Sequence, residues 1–578
     1  MDTDSYPGKG LSLSQLVFAL NEELRRTAYP PLYVGYLELV EERHTNHPCS
    51  VTSDEVFQLE RDISTALAAA RELKNSFALI NRIPSDILSM IPTHLDSQKD
   101  VFHASFVCRR WRRELLQNGV LWSQLFTKKG EDYVTTLLER AKGSALDIVV
   151  DYPAPLDTIA LSPPHARRIR HLEFPSSCWA DILMFTQVNS KPLPLLRTLE
   201  ICTTCKDHDH DHNQPNMPAT PSPPLFSGSV NLEEFYLDLD GGLNGSLDCF
   251  VFPNLTTLNL AASPGLNFFD ASQLFDFLKA SPTLRTVDVK IYGCMRARRT
   301  PSATAVVLPN VETFSLYGMD YAWHVYRSAI HLSCPRARYT SLADHIFNDE
   351  MTNDLEIFPD PTSWKTIVHQ YTTSPVEEVT LEIDGSRPQT TIWCSLTFES
   401  SNGTTIKLHF RASHRGVRPE VSHEEMNLRV FSQACRTIQN LPLPSHVKCL
   451  RVTDNTGILG VGYLKPMADP VGALFKSLGP LNELTIHGCD LQIFLAPFVG
   501  PRGYRCSEPV FPHVQRLAIS EALMVNGHQC TDDIVNLAKL QYELGKPFEH
   551  VTIRARRIPP AMGERLRQWV SAVDCYEL

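Results

Sequence analysis

The chain has 578 residues, too many for one compact core, and is expected to hold several units or a repeat array. Its hydrophobic share of 43% is that of a globular protein. A net charge of -11 over this length argues against a dedicated nucleic-acid binder. Residues 1–51 read as an N-terminal extension with one short helix near Leu13–Arg26, interrupted by Pro30-Pro31. Residues 52–80 read as a long helix. Thr52 and Glu55 make a capping box, and Val56, Leu59, Ile63, Ala66, Ala70, Leu73, Phe77 and Ile80 follow in steps of three and four. A coiled-coil dimer and a single helix packed on the following domain both fit that seam; Ala66 and Ala70 weaken it and favour the single helix.

Residues 81–127 carry the most specific pattern. Ile83-Pro84-Ser85-Asp86-Ile87-Leu88 is followed by Ile91 and Leu95-Asp96, then Val107-Cys108-Arg109-Arg110-Trp111-Arg112-Arg113, then Leu121-Trp122. Pro84 suits the first position of a helix, and Ile87, Leu88, Ile91 and Leu95 recur at helical spacing. Val107, Trp111 and Leu115 form a second apolar stripe edged by arginines. Short helices with more apolar surface than they can bury among themselves await a partner.

This segment resembles an F-box, and the arrangement as a whole is similar to F-box proteins of fungal type. The resemblance implies a three-helix module that docks on a Skp-type adaptor and, through it, on a cullin–RING ubiquitin ligase. It assigns Ile83, Pro84, Ile87, Leu88, Ile91, Leu95, Val107, Cys108, Trp111, Leu121 and Trp122 to the adaptor face or its supporting core. Pro92 departs from the family, which has an aromatic residue there; it is expected to kink or end the first helix.

Residues 128–558 begin with a helix near Glu131–Ala141 and a strand at Leu146–Val150. One pattern then recurs eleven times: apolar, two residues, apolar, one residue, apolar, from Ile169/Leu172/Phe174 to Phe548/Val551/Ile553. Most first positions are 23 to 36 residues apart, with two intervals of 65 and 71 that hide a degenerate repeat or an insertion. Helical patterns lie between, as at Leu274/Phe275/Leu278, Val471/Leu474/Phe475/Leu478 and Ile534/Leu537/Leu540/Leu544. Within the second long interval, residues 391–412 alternate, turn at Asn402-Gly403 and alternate back, which reads as an inserted β-hairpin. The whole resembles a divergent leucine-rich-repeat array. The Asn or Cys that bonds turns together in that family, three residues after the third apolar position, is present only at Asn455 and Cys489. Residues 559–578 read as a C-terminal capping helix with Met562, Leu566 and Val570 on one face.

Little in the sequence suggests catalysis. Cys202, Cys205, His208, His210 and His212 are zinc-ligand types. The histidines alternate with aspartates, however, and a proline-rich stretch follows, so residues 203–228 read as a disordered loop and no metal or other cofactor is expected. His423-Glu424-Glu425-Met426-Asn427 lacks the second histidine of a zinc protease, and Gly457–Gly462 has its glycines misplaced for a dinucleotide loop. The 15 cysteines have no regular spacing, and Cys394 and Cys449 sit in strand patterns, as free thiols do in a reducing compartment. The acidic start Met1-Asp2-Thr3-Asp4 is unlike a signal peptide, and no apolar run reaches the ~18 residues of a membrane span.

The expected fold is α + α/β: a long N-terminal helix and a three-helix module, then an irregular leucine-rich-repeat-like α/β solenoid. The expected function is that of a non-catalytic, intracellular substrate receptor, cytoplasmic or nuclear, with no nucleic-acid or membrane partner. Its partners would be a Skp-type adaptor, a cullin and an unknown target protein. The alternatives are an adaptor-binding structural protein outside any ligase, and a metal-dependent enzyme using the Cys202–His212 cluster. The residues between the apolar positions face the other way. Glu173, Glu200, Glu234, Tyr236, Asp288, Glu378, Arg451 and Arg516 are therefore the expected target-facing surface, acidic in its first half.

Overall fold

The computed structural model of the chain describes residues 53–77, 83–94 and 98–151, Cys108 excepted, and from Pro163 onward the strands, the helices between them and their adjoining turns. Residues 1–52 and connecting segments including 205–225, 263–270, 292–305, 320–331, 348–369, 414–430, 495–510 and 521–528 lie outside that description. The expected Leu13–Arg26 helix, most of the Cys202–His212 cluster and the His423 and Gly457 motifs fall there. No described helix is long and apolar enough to cross a membrane. The chain divides into two units, one comprising residues up to Gln124 with Thr136–Ser144, the other Leu125–Thr135 with Ala145–Leu578.

In the first unit, α1 spans Ser53–Phe77. Its buried stripe is Ile63 and Ala70 with half-buried Leu67 between them, while Ala66 and Phe77 are exposed. Spacing of four and then three residues places these side chains on one face of the helix. Short helices follow: α2 (Ser85–Met90), a 3-10 turn (Ile91–His94), α3 (Gln98–Ser105), α4 (Arg109–Gln117) and a second 3-10 turn (Gly119–Trp122). The next helix, α5 (Glu131–Ala141), is shared between the units. Glu131 and Asp132 sit in its first turn and Arg140 in its last, the charge order that suits the helix dipole.

The second unit is built on a seventeen-stranded, largely parallel sheet. Its strands are β1 (Gln124–Phe126), β2 (Leu146–Val149), β3 (Ile169–Phe174), β4 (Thr198–Thr204), β5 (Glu234–Asp240), β6 (Thr257–Ala262), β7 (Thr286–Ile291), β8 (Thr313–Met319) and β9 (Tyr339–Phe347). They continue as β10 (Val376–Gly385), β11 (Thr391–Ser400), β12 (Thr405–Ser413), β13 (Cys449–Asp454), β14 (Glu483–His487), β15 (Arg516–Ser520), β16 (His550–Ala555) and β17 (Ala572–Glu577). From β2 to β9 each strand pairs in parallel with the next. The order then reverses locally to β9-β12-β11-β10-β13, and from β13 to β17 it runs in sequence again. β11 is antiparallel to both of its neighbours. Three longer helices lie between strands: α6 (Ala271–Ala280), α7 (Leu464–Ser477) and α8 (Gln529–Glu543).

All eleven recurring patterns are strands, and their apolar residues point to one side. The registers join Leu172, Leu199, Phe235, Leu258, Val287 and Phe314 into one buried row. It continues through Thr340, Ile406, Phe398, Val379, Leu450, Leu484, Leu517, Val551 and Val573. Thr340 is the one polar member of this row. It is fully buried and its hydroxyl has no hydrogen-bond partner. Replacing Thr340 by the equally shaped valine removes an orphaned polar atom and is expected to stabilise the chain by about 1 kcal/mol. A thermal melt checks this: Thr340→Val should melt higher, and a lower transition would show that the hydroxyl is used.

A side-chain ladder also ties the turns together, at the opposite end of the strands from the position expected. Asn231 donates to Pro194 O at 2.7 Å, Asn254 to Val230 O at 2.6 Å, Thr283 to Pro253 O at 3.1 Å and Asn310 to Pro282 O at 3.1 Å. Each donor is the residue just before the first apolar position of its repeat. Turn carbonyls that strand pairing leaves open are thereby satisfied.

The first long interval hides a further strand, β9, and the second holds the inserted hairpin β11–β12, as the spacing allowed. Two expectations need correction. The loop expected at 203–228 begins later, because Thr203 and Thr204 belong to β4. Residues 559–578 are not a capping helix. A five-residue α9 (Met562–Leu566) leads into β17, which pairs in parallel with β16. The backbone groups of β16 present an open edge, and pairing with it satisfies more donors and acceptors than one further helical turn would.

Candidate functional site

The first unit holds the candidate site. α2 begins one residue later than expected. Pro84 is its N-cap, with ψ of 149°, and Leu88 N donates to Pro84 O at 2.8 Å as the first helical bond. The last α-helical bond is donated by Ile91 N to Ile87 O, just before Pro92, and the chain tightens into the 3-10 turn. Proline has no N–H to continue the helix, so the break is written in the sequence. Arg110 on α4 donates to Ile83 O, tying the start of the motif to its centre. Arg112 Nε donates to Ser105 O at 3.2 Å, and its guanidinium lies 5.1 Å from the centre of the Phe106 ring.

The core of this module is Leu88, Val101, Trp111, Leu115, Leu121 and Trp122, all buried. Trp122 is its centre. Its indole Nε1 donates to Leu115 O at 2.8 Å, Phe102 packs edge-on at 5.1 Å, and the Arg140 guanidinium sits 4.9 Å over its ring. Trp111 is buried equally well, but its Nε1 has no hydrogen-bond partner. Trp111→Phe removes that donor and keeps an aromatic filler, so it is expected to change stability by less than about 1.5 kcal/mol. Chemical denaturation of the variant checks this, and a larger loss would reveal a partner for the indole nitrogen.

Among the described residues, five large apolar side chains of the same module remain outside the core. Ile87 is 46% exposed, Met90 55%, Phe106 69%, Val107 58% and Val120 62%. Ile87 and Met90 are three apart on α2 and share a face. Phe106 and Val107 form the turn between α3 and α4, and Val120 lies in the second 3-10 turn. Arg109, Arg112 and Arg113 are exposed beside them in sequence.

Residues 80–128 match the F-box-like family model. The chain carries an F-box-like domain. No curated protein matches the chain at a significant level. F-box domains bind Skp-type adaptors and are generally non-catalytic parts of intracellular ubiquitin ligases, so the domain marks an adaptor-binding protein.

The structure sorts the motif residues of the F-box by exposure. Leu88, Trp111, Leu121 and Trp122 are core; Ile83 and Ile91 are half-buried; Pro84, Ile87 and Val107 are exposed. Leu95 and Cys108 lie outside the described residues. Met90, Phe106 and Val120 belong with the exposed set and were missed. Each is a lone apolar residue in a turn or at a helix end, where periodicity carries no signal.

The eight residues expected on the sheet face are all there. Register places Glu173, Glu200 and Tyr236 side by side on β3, β4 and β5, and Asn259 and Asp288 extend the row onto β6 and β7. Arg451 occupies the same row on β13, while Glu234, Glu378 and Arg516 lie in the row two residues earlier. Burial pushes the Glu200 carboxyl above the usual range; His171 opposes this, and Glu173 and Glu234 add to it. Glu378 is raised by burial too, but Arg451 Nε lies 2.9 Å from it and works against the shift.

Proposed function

We propose that the chain is a substrate-receptor subunit of a Skp/cullin/F-box ubiquitin ligase. The observation that carries this reading is the set of five apolar side chains left exposed on an otherwise well-packed F-box-like domain. Such a set is costly to leave in water and fits an adaptor helix or groove. On this reading Pro84, Ile87, Met90, Phe106, Val107 and Val120 touch the adaptor, and Leu88, Trp111, Leu121 and Trp122 hold them in place. The second unit, read as a divergent leucine-rich-repeat-like solenoid, presents its polar sheet face to a target protein. The receptor performs no chemistry; it positions the target beside a conjugating enzyme, so catalysis by proximity is supplied in trans.

Affinity purification of the tagged full chain from cells tests the reading. Recovery of both adaptor and cullin is expected. Recovery of adaptor without cullin favours a binding protein outside any ligase, and recovery of neither overturns the proposal.

A further inference from the structure

Along the outward face of the sheet, the strands differ in how their charges are balanced. On later strands some carboxylates pair with a cation on the same face, although Glu399 and Glu483 also lie near Glu378. Lys290 Nζ is 2.8 Å from Asp288, and Arg451 is 2.9 Å from Glu378. Across β3, β4 and β5 the outward rows hold His171, Glu173, Thr198, Glu200, Cys202, Glu234, Tyr236 and Asp238, with no lysine or arginine. His171 lies 3.8 Å from Glu173, and Thr198 donates to Glu234 at 3.3 Å. The arginines at the starts of these strands are held elsewhere, Arg170 by Asp147 at 2.6 Å and Arg197 by Glu233 at 3.9 Å. Strands lie about 4.8 Å apart, so these carboxylates crowd one another, and Tyr236 stands half-exposed among them. Among the described residues, the outward rows of β3–β5 carry carboxylates and an aromatic ring but no lysine or arginine.

We propose that the exposed face of β3–β5 binds a basic, extended segment of the target protein, with Glu173, Glu200 and Glu234 taking its lysine or arginine side chains and Tyr236 lying against them. Carboxylates of a pre-formed sheet need no rearrangement to meet a cation, and a tyrosine ring adds a cation–π contact to the same side chain. Acidic targets are repelled by the same surface, so it selects as well as binds. The inference rests on the receptor reading for its biological meaning, but its test does not.

The probe is fluorescein-labelled octalysine, titrated with the full chain and followed by anisotropy, with octaglutamate as the acidic control. Octalysine is expected to bind with an affinity that falls as salt rises, and octaglutamate is not expected to bind. Combining Glu173→Lys, Glu200→Lys and Glu234→Lys should weaken octalysine about 30-fold, three surface pairs becoming three repulsions. The matching glutamine triple, which adds no positive charge, should weaken it about fivefold and covers the case in which the lysine triple fails to fold. Reversing the exposed Glu543, Glu549 and Glu564, which lie off this face, changes net charge equally and should alter binding less than about twofold. Equal losses in the on-face and off-face triples overturn the proposal, because only net charge would then matter. So does unchanged binding in both on-face triples. Displacement of octalysine by millimolar calcium, but not by sodium at the same ionic strength, overturns it in favour of a divalent-cation site. Adaptor recovery by the unmodified chain reports on the receptor reading alone, so the two proposals can fail separately.

Discussion

Replacing Ile87 with aspartate is expected to abolish capture of a Skp-type adaptor while leaving the chain folded. Ile87 is nearly half exposed in the free F-box-like domain. A carboxylate there stays hydrated, and the free chain should lose less than about 1 kcal/mol. In the complex the same carboxylate is pressed against an apolar surface with no cation to meet it. Burying an unpaired charge costs several kcal/mol, enough to lower affinity by at least about 100-fold. Isothermal titration with purified adaptor measures the loss, and circular dichroism with a thermal melt shows that the fold is kept. Val107→Asp should behave alike, whereas Val251→Asp, at an equally exposed valine of the second unit, should bind adaptor normally. A folded Ile87→Asp chain that binds within about threefold of the original would remove Ile87 from the adaptor face.

Truncating Trp122 acts by the opposite route, through the fold. The side chain is fully buried, and removing a buried tryptophan costs on the order of 3–5 kcal/mol. Trp122→Ala also removes the indole hydrogen bond to the Leu115 carbonyl and takes away the ring beneath Arg140. Against a domain stability of about 5–15 kcal/mol this is a large fraction, and a drop of about 15 °C in the melting of the F-box-like domain is expected. Adaptor binding should fall in proportion to the unfolded fraction. Trp122→Phe keeps most of the volume and loses the hydrogen bond, so it should fall between the two. The contrast with Trp111→Phe is informative, because that indole has no hydrogen bond to lose. Melting of Trp122→Ala within about 3 °C of the original would mean that the domain is not organised around this residue.

The F-box motif and the eleven strand patterns were legible in the sequence because both are local. An apolar residue at alternate positions specifies a strand and its buried side wherever the chain goes, and Ile83-Pro84 and Trp111 stand at fixed offsets in one short module. The β11–β12 hairpin was legible for the same reason, since Asn402-Gly403 permits a tight turn and Gly403 adopts a φ of 80°. Tertiary structure alone decided the rest. Thr340 conceals β9 because one hydroxyl breaks the apolar pattern, and only pairing to β8 and β12 makes that segment a strand. Met562, Leu566 and Val570 fit a helical stripe, yet the open edge of β16 draws Ala572–Glu577 into the sheet. The exposure that separates Ile87 from Leu88, adjacent in sequence, is set by which side of α2 meets α4. Likewise Glu200 and Glu378 are alike in sequence, and only the strand order places Arg451 beside one and leaves the other among carboxylates. Periodicity reports which residues turn inward. What each outward residue meets depends on neighbours tens of residues away, and those are chosen by pairing and packing rather than by local sequence.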